Sequence, residues 1–271
     1  MEIRQGTTTS RGLRLAWREA GAGLPVLLLH AFPLAGAMWD AQLAALTGSC
    51  RLIVPDLSGF GASQGVPPDG VCRMSDLAAD AVALLDQLEI GRAVVGGLSM
   101  GGYAALALAE GAPERLRALV LADTRTGADS EEARQSRLGT AERVLEEGTG
   151  FLAETLPAKL LGPVTRERRP EVVAEVKRMI REAPPAGVAA AQRGMARRPD
   201  RTRVLPRLDV PVLILVGEDD ELTPPAEARA MEREIRGAEL VTIPEAGHLA
   251  NLERPEAFNE ALGGFLRRLR L

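Results

Sequence analysis

Gly97-Leu98-Ser99-Met100-Gly101 places a serine hydroxyl between two glycines, where an apolar run, Ala93–Gly97, meets a helix-like segment that starts at Met100. A Gly-x-Ser-x-Gly pattern is expected about 0.1 times by chance in a chain of this composition, so its setting carries the weight. A sharp strand-to-helix turn forces the serine backbone into a strained region, and side chains two residues to either side would collide there. Gly97 and Gly101 answer that need. The turn raises the hydroxyl above the sheet at a helix N-terminus, where free N–H groups and the helix dipole favour developing negative charge.

A serine hydroxyl is a weak nucleophile unless a base takes its proton. The chain holds two histidines, His30 and His248. His30 closes a buried run, Leu28-Leu29-His30, and is read as a residue that fixes its own loop. His248 lies in a loop between the last strand and a helix, the place where sites assemble on a parallel sheet, and is assigned as the base. That base needs a carboxylate to hold its tautomer. Four acids crowd Glu218-Asp219-Asp220-Glu221, directly after a buried strand. Asp220 is the first choice, with Asp219 and Asp123, which ends the sixth strand, as alternatives.

Positioning such groups requires a sheet. Strands are expected near Glu2–Thr8, Leu13–Arg18, Pro25–His30, Arg51–Pro55, Ala93–Gly97, Arg117–Asp123, Pro211–Gly217 and Glu239–Ile243. The runs Val26–Leu29 and Val212–Val216 are apolar throughout, as in strands buried on both faces of a parallel sheet. Helical spacing of apolar residues marks Trp39–Thr47, Ser75–Leu88, Met100–Glu110, Pro225–Ile235 and Pro255–Leu271. Strand–helix alternation implies right-handed βαβ units with helices on both faces, preceded by an antiparallel hairpin at one edge. The alternation breaks after the sixth strand, where helices are expected at Ser130–Glu147, Gly150–Leu161, Pro170–Arg181 and Ala186–Arg197. A single crossover needs only about a dozen residues, so residues 125–202 read as a helical cap, with 1–124 and 203–271 as the core. The basic cluster Arg166–Arg169 reads as a solvated surface turn.

Composition bounds the partners. With 33 Lys and Arg against 37 Asp and Glu, the chain has no basic excess for nucleic acid. No apolar stretch approaches the roughly 18 residues of a membrane span, and no secretory signal opens the chain. Cys50 and Cys72 read as unpaired thiols, which suits a cytoplasmic location. Isolated histidines and distant cysteines imply no metal, and no cofactor is expected.

The order Ser99, Asp220, His248, set on this frame, resembles the α/β-hydrolase superfamily, and the likeness runs along nearly all of the chain. Val26–Trp39 is similar to that family's oxyanion segment, with His30-Ala31 where His-Gly is usual. Asp56–Ser63 resembles its Asp-x-x-Gly-x-Gly-x-Ser loop, Gly217–Asp220 its acid loop, and Ala246–Glu253 the segment carrying its histidine. The resemblance implies a mostly parallel, eight-stranded α/β-hydrolase fold with a helical cap after strand six. It also implies an oxyanion hole formed by the backbone N–H groups of Phe32 and Met100. A serine nucleophile points to acyl transfer on a small-molecule ester or lactone. Gly97–Gly102 resembles carboxylesterases and 3-oxoadipate enol-lactonases. Carbon–carbon bond hydrolases share the same three residues, and a non-catalytic binding relative is a further alternative. Substrate contacts are expected from Phe32 and Trp39 near the oxyanion strand, and from Leu152, Leu156 and Met179 in the cap. Phe151, Leu160, Leu161 and Ile180 are further cap residues that could face the pocket.

Overall fold

The computed structural model describes residues 2–269. Eight strands form one sheet: β1 (Ile3–Ser10), β2 (Leu13–Ala20), β3 (Pro25–Leu29), β4 (Arg51–Pro55), β5 (Ala93–Leu98), β6 (Leu116–Ala122), β7 (Val212–Gly217) and β8 (Glu239–Ile243). Their order across the sheet is β1-β2-β4-β3-β5-β6-β7-β8. β1 and β2 form the expected antiparallel hairpin, β2 meets β4 antiparallel, and all later pairs are parallel. Val26–Leu29 of β3 and all of β5 and β7 are buried, as continuous apolar runs demand of strands covered on both faces. β8 lies at the edge, where only Ile243 is buried.

Helices follow the strands as α1 (Asp40–Leu46), α2 (Met74–Gln87) and α3 (Met100–Gly111). Six more lie between β6 and β7: α4 (Glu131–Glu147), α5 (Gly150–Thr155), α6 (Pro157–Leu160), α7 (Pro163–Arg168), α8 (Pro170–Glu182) and α9 (Pro185–Ala196). The chain closes with α10 (Pro225–Glu234), α11 (Ala250–Glu253) and α12 (Pro255–Arg268). The predicted end of the last helix, at 270–271, lies outside the described residues.

Local chemistry sets these boundaries. Ser130 caps α4 by accepting the Ala133 N–H (3.2 Å), a bond worth about 1 kcal/mol. Proline opens α6, α7, α8 and α9 at a position where a missing N–H costs nothing. Pro157 thereby splits the single helix expected over Gly150–Leu161 into two. The same effect corrects the reading of Arg166–Arg169. Pro163 starts a short helix there, so its first three residues are helical rather than a turn, although all three are exposed as expected.

Cys50 and Cys72 are buried and form no disulfide. Burial, reinforced by the charge of Asp80, pushes the Cys72 thiol up to about 12. The thiolate is the reactive species. The native protein is therefore expected to resist a thiol-specific dye at about pH 8 and to take up two equivalents once denatured. Fast reaction of either thiol in the native state would contradict this packing.

Candidate active site

β5 runs straight into α3, and the residue at the corner is Ser99, with φ 55° and ψ −112°. That conformation costs about 1–3 kcal/mol and is held by its neighbours. Ser99 N–H donates to Ala122 O (3.0 Å), while its carbonyl accepts from Tyr103 N–H (3.1 Å) and Thr124 Oγ1 (2.9 Å). The two flanking glycines are needed for a reason more specific than the sequence suggests. A Cβ on Gly97 would sit 2.1 Å from Gly101 O, and one on Gly101 would sit 2.1 Å from Leu29 O of β3. The corner closes only because the two positions can touch each other and the neighbouring strand.

Because β3, β5, β6, β7 and β8 are parallel, their C-terminal ends share one edge of the sheet, and each delivers a loop to it. The β7 loop brings Asp220 and the β8 loop brings His248. Ser99 Oγ lies 2.7 Å from His248 Nε2, and His248 Nδ1 lies 2.8 Å from Asp220 Oδ2. Since Nδ1 faces a carboxylate, it carries the proton of the neutral ring; Nε2 then presents its lone pair to the serine hydroxyl. Asp220 Oδ1 accepts the N–H groups of Leu222 (2.9 Å) and Thr223 (3.0 Å), and Oδ2 also accepts Thr223 Oγ1 (2.6 Å). Burial works against this carboxylate, but the charge and hydrogen bond of His248 and the Thr223 donors outweigh it and hold Asp220 below its ordinary value.

The other candidates have different surroundings. Asp219 is half-buried, and its N–H donates to Ala246 O (2.8 Å). Asp123 is fully buried at φ 42°, and its Oδ1 accepts Gly217 N–H (2.7 Å) rather than the imidazole. Burial first, then the charge of nearby Asp220, pushes its carboxyl well above the usual range. His30 is fully buried; its Nε2 accepts Leu57 N–H (2.9 Å), so Nδ1 carries the proton and donates to Ala31 O (2.9 Å). Burial holds this imidazole below its ordinary value. It ties the end of β3 to the loop after β4.

Ser99 and His248 open into a cavity of about 410 Å³, a size that suits a small molecule. Phe32, Leu152 and Leu156 line it, as do Phe151 and Leu160. Phe32 follows β3 by three residues, and Met100 is the first residue of α3. Trp39 and Met179 do not reach the cavity, which corrects their expected role. Trp39 is 1% exposed and packs its ring against Phe258 of α12, with centroids 5.9 Å apart. Met179 is buried on the inner face of α8 and borders a separate space of about 200 Å³ with Leu34 and Ala35. Leu161 and Ile180 are likewise buried away from the cavity.

The sequence reading missed several groups. Tyr103, Arg125 and Arg137 line the cavity. Tyr103 carried a signal, since it sits one helical turn beyond Ser99. Glu253 is wholly buried, and its carboxylate accepts the N–H groups of Gly162 (2.7 Å), Gly247 (2.9 Å) and Leu249 (3.3 Å). Burial pushes this carboxyl up despite those donors. It braces the His248 loop against the segment between α6 and α7, and His248 N–H adds a bond to Leu160 O (3.0 Å). Among the described residues, no three His, Cys, Asp or Glu side chains are grouped to hold a metal ion, and no helix is long and apolar enough to cross a membrane.

Comparison with known proteins places this geometry. Residues 25–255 match a family described as the alpha/beta hydrolase fold. The chain is 32% identical to 3-oxoadipate enol-lactonase 2 of Acinetobacter baylyi, over 86% of this chain and 84% of that protein. Its structure is similar to a thermophilic esterase from Thermogutta terrifontis, solved with malate bound, at 46% identity, full coverage of both chains and a TM-score of 0.95. It is also similar to the enol-lactonase of Burkholderia xenovorans, at 29% identity, covering 97% of this chain and 100% of that one, with a TM-score of 0.89.

Proposed function

We propose that this chain, which belongs to the α/β-hydrolase fold family, hydrolyses carboxylic esters through an acyl-enzyme on Ser99. The observation that carries the reading is the line of contacts from Ser99 Oγ to His248 Nε2 (2.7 Å) and from His248 Nδ1 to Asp220 (2.8 Å) at the wall of a small-molecule cavity. The esterase at 46% identity over the whole chain supports the choice of ester as substrate. The enol-lactonase relatives extend it to lactones, which are internal esters and need the same steps.

Ser99 Oγ attacks the carbonyl carbon as its proton passes to His248 Nε2, and the carbonyl π pair moves onto oxygen. The backbone N–H groups of Phe32 and Met100 hold that oxyanion, and the N-terminal end of α3 adds a favourable dipole. Collapse expels the alkoxide, which takes the proton back from Nε2 and leaves an ester on Ser99. Water then gives its proton to Nε2 and attacks the acyl carbon. A second collapse releases the acid and reprotonates Ser99. Asp220 stays ionised throughout, holding the Nδ1–H tautomer and stabilising the imidazolium. Residues 125–202 serve as a cap over the α/β core; α5 and α6 set Phe151, Leu152, Leu156 and Leu160 over the acyl or alcohol chain.

A fluorophosphonate probe tests the nucleophile directly. It is expected to add once to the native protein, with the adduct mapped by mass spectrometry to the peptide containing Ser99. No adduct, or an adduct elsewhere, would defeat the proposal.

A further inference from the structure

We propose that the cavity beside Ser99 selects open-chain esters that also carry a free carboxylate, received by Arg125 and Arg137. The proposal rests on the reading of Ser99 as nucleophile and adds a substrate class to it. The charge balance of the wall is its starting point. Of the residues lining the cavity, Arg125, Arg137, Arg143 and Lys159 are cationic, and Asp129 is the single acid. Asp129 is enclosed, its side chain 0% exposed, and it is shared among three guanidiniums: Arg125 Nη2 at 3.1 Å, Arg137 Nε at 2.5 Å and Arg198 Nη1 at 2.8 Å.

Arg198 is enclosed and turned to other partners, although its Nε, like that of Arg125, finds none. It is buried, lies 4.2 Å over the Tyr103 ring, and donates to the carbonyls of Met195 and Gly127. One carboxylate among three guanidiniums leaves two positive charges uncompensated, and they fall on Arg125 and Arg137, which are partly exposed and face the cavity. Arg137 also reaches Gln192 Oε1 at 3.0 Å. Arg125 is worse served. Its bond to Asp129 leaves Nε buried with no partner. A partly desolvated guanidinium short of acceptors is costly to keep, and a ligand carboxylate supplies both the missing charge and the missing acceptors.

Placement ties this cationic wall to the reacting serine. Arg125 directly follows Thr124, whose hydroxyl holds the Ser99 carbonyl, and Tyr103, beneath Arg198, stands one helical turn from Ser99. The same cavity is also lined by Phe151, Leu152 and Leu156. Apolar side chains and two guanidiniums in one cavity fit a short aliphatic spacer between the scissile carbonyl and a terminal carboxylate. A monoester of a dicarboxylic acid has that form. Arg143, over the Phe151 ring at 3.8 Å and paired with Glu147, and exposed Lys159 add to the attraction of an incoming anion.

The test compares kcat/KM for monomethyl and dimethyl esters of straight-chain dicarboxylic acids from succinate to suberate. At one or more chain lengths the monoester is expected to be preferred about 10-fold or more, the scale of a charge-assisted hydrogen-bonded pair. Arg125→Gln and Arg137→Gln are each expected to bring that ratio close to parity. Arg236→Gln, which removes the same charge from an exposed position before β8, should leave the ratio in place. A second arm uses the Ser99→Ala protein and calorimetry, with free dicarboxylates against their diamides. Tighter binding of the dicarboxylate, lost in Arg125→Gln, supports the subsite even if no ester is turned over, in which case the hydrolase reading fails alone. Ester turnover without preference for the monoester, or equal binding of acid and diamide, overturns the subsite and leaves the hydrolase reading standing.

Discussion

Ser99→Ala is expected to lower kcat for ester hydrolysis by about 10⁴–10⁶-fold while leaving the fold and melting temperature nearly unchanged. The size follows from what the substitution removes. In the proposed mechanism Ser99 Oγ, hydrogen-bonded to His248 Nε2, is the nucleophile, so without it no acyl-enzyme forms. The fold persists because the corner is held by backbone. Ser99 N–H to Ala122 O and the two bonds to the Ser99 carbonyl survive in alanine, and the cost of φ 55° is borne by either residue. Removal of one hydroxyl at the wall of a cavity of about 410 Å³ leaves room for a water to take its place beside His248 Nε2. The residual rate should still exceed that in water, because the N–H groups proposed to form the oxyanion hole, those of Phe32 and Met100, are untouched. Initial rates on an aryl ester, with circular dichroism and a thermal melt on the same samples, check both halves. Near-normal turnover in a folded Ser99→Ala protein would end the serine-hydrolase reading.

The elements that position these groups were legible because each left a one-dimensional trace. Continuous apolar runs gave β3 and β7, and Gly97 and Gly101 marked the corner at Ser99. Asp220 and His248 stand out in the sequence because strand ends of a parallel sheet are where loops meet, and only two histidines compete. What escaped depends on which neighbour a side chain meets. Helical spacing shows that Met179 has an inward face on α8, but not that this face looks away from Ser99. Trp39 lies close in sequence to the oxyanion strand, yet the turn before α1 directs it onto Phe258. Arg125 and Arg137 carry charge, and charge reads as surface until the loop before α4 turns Arg125 onto Asp129 and the packing of α4 on α9 places Arg137 against Gln192. Glu253 was hidden for the same reason. Its three N–H donors come from within the long helical insertion, at Gly162, and from the loop after β8, at Gly247 and Leu249, and no spacing in the chain announces that meeting.

Asp220→Asn is expected to cost about 10⁴-fold in kcat, against about 10-fold or less for Asp123→Asn and Asp219→Asn. The hydrogen bonds of Asp220 decide how asparagine would sit. Oδ1 accepts two backbone N–H groups, from Leu222 and Thr223, so the amide oxygen must stay there and the NH₂ must take the place of Oδ2. That NH₂ then faces His248 Nδ1 and makes it an acceptor, which moves the ring proton to Nε2. A protonated Nε2 cannot take the Ser99 proton. Asp123 touches Gly217 rather than the imidazole, so its amide leaves the tautomer alone. The base is tested in the same way. His248→Gln should abolish ester hydrolysis, since Ser99 Oγ then has no imidazole to take its proton. His30→Gln should keep the activity, even where loop disturbance lowers the rate, because His30 Nε2 is occupied by Leu57 N–H. If Asp123→Asn proved the crippling substitution, or activity vanished with His30 and survived loss of His248, the acid or the base would sit on the wrong strand end.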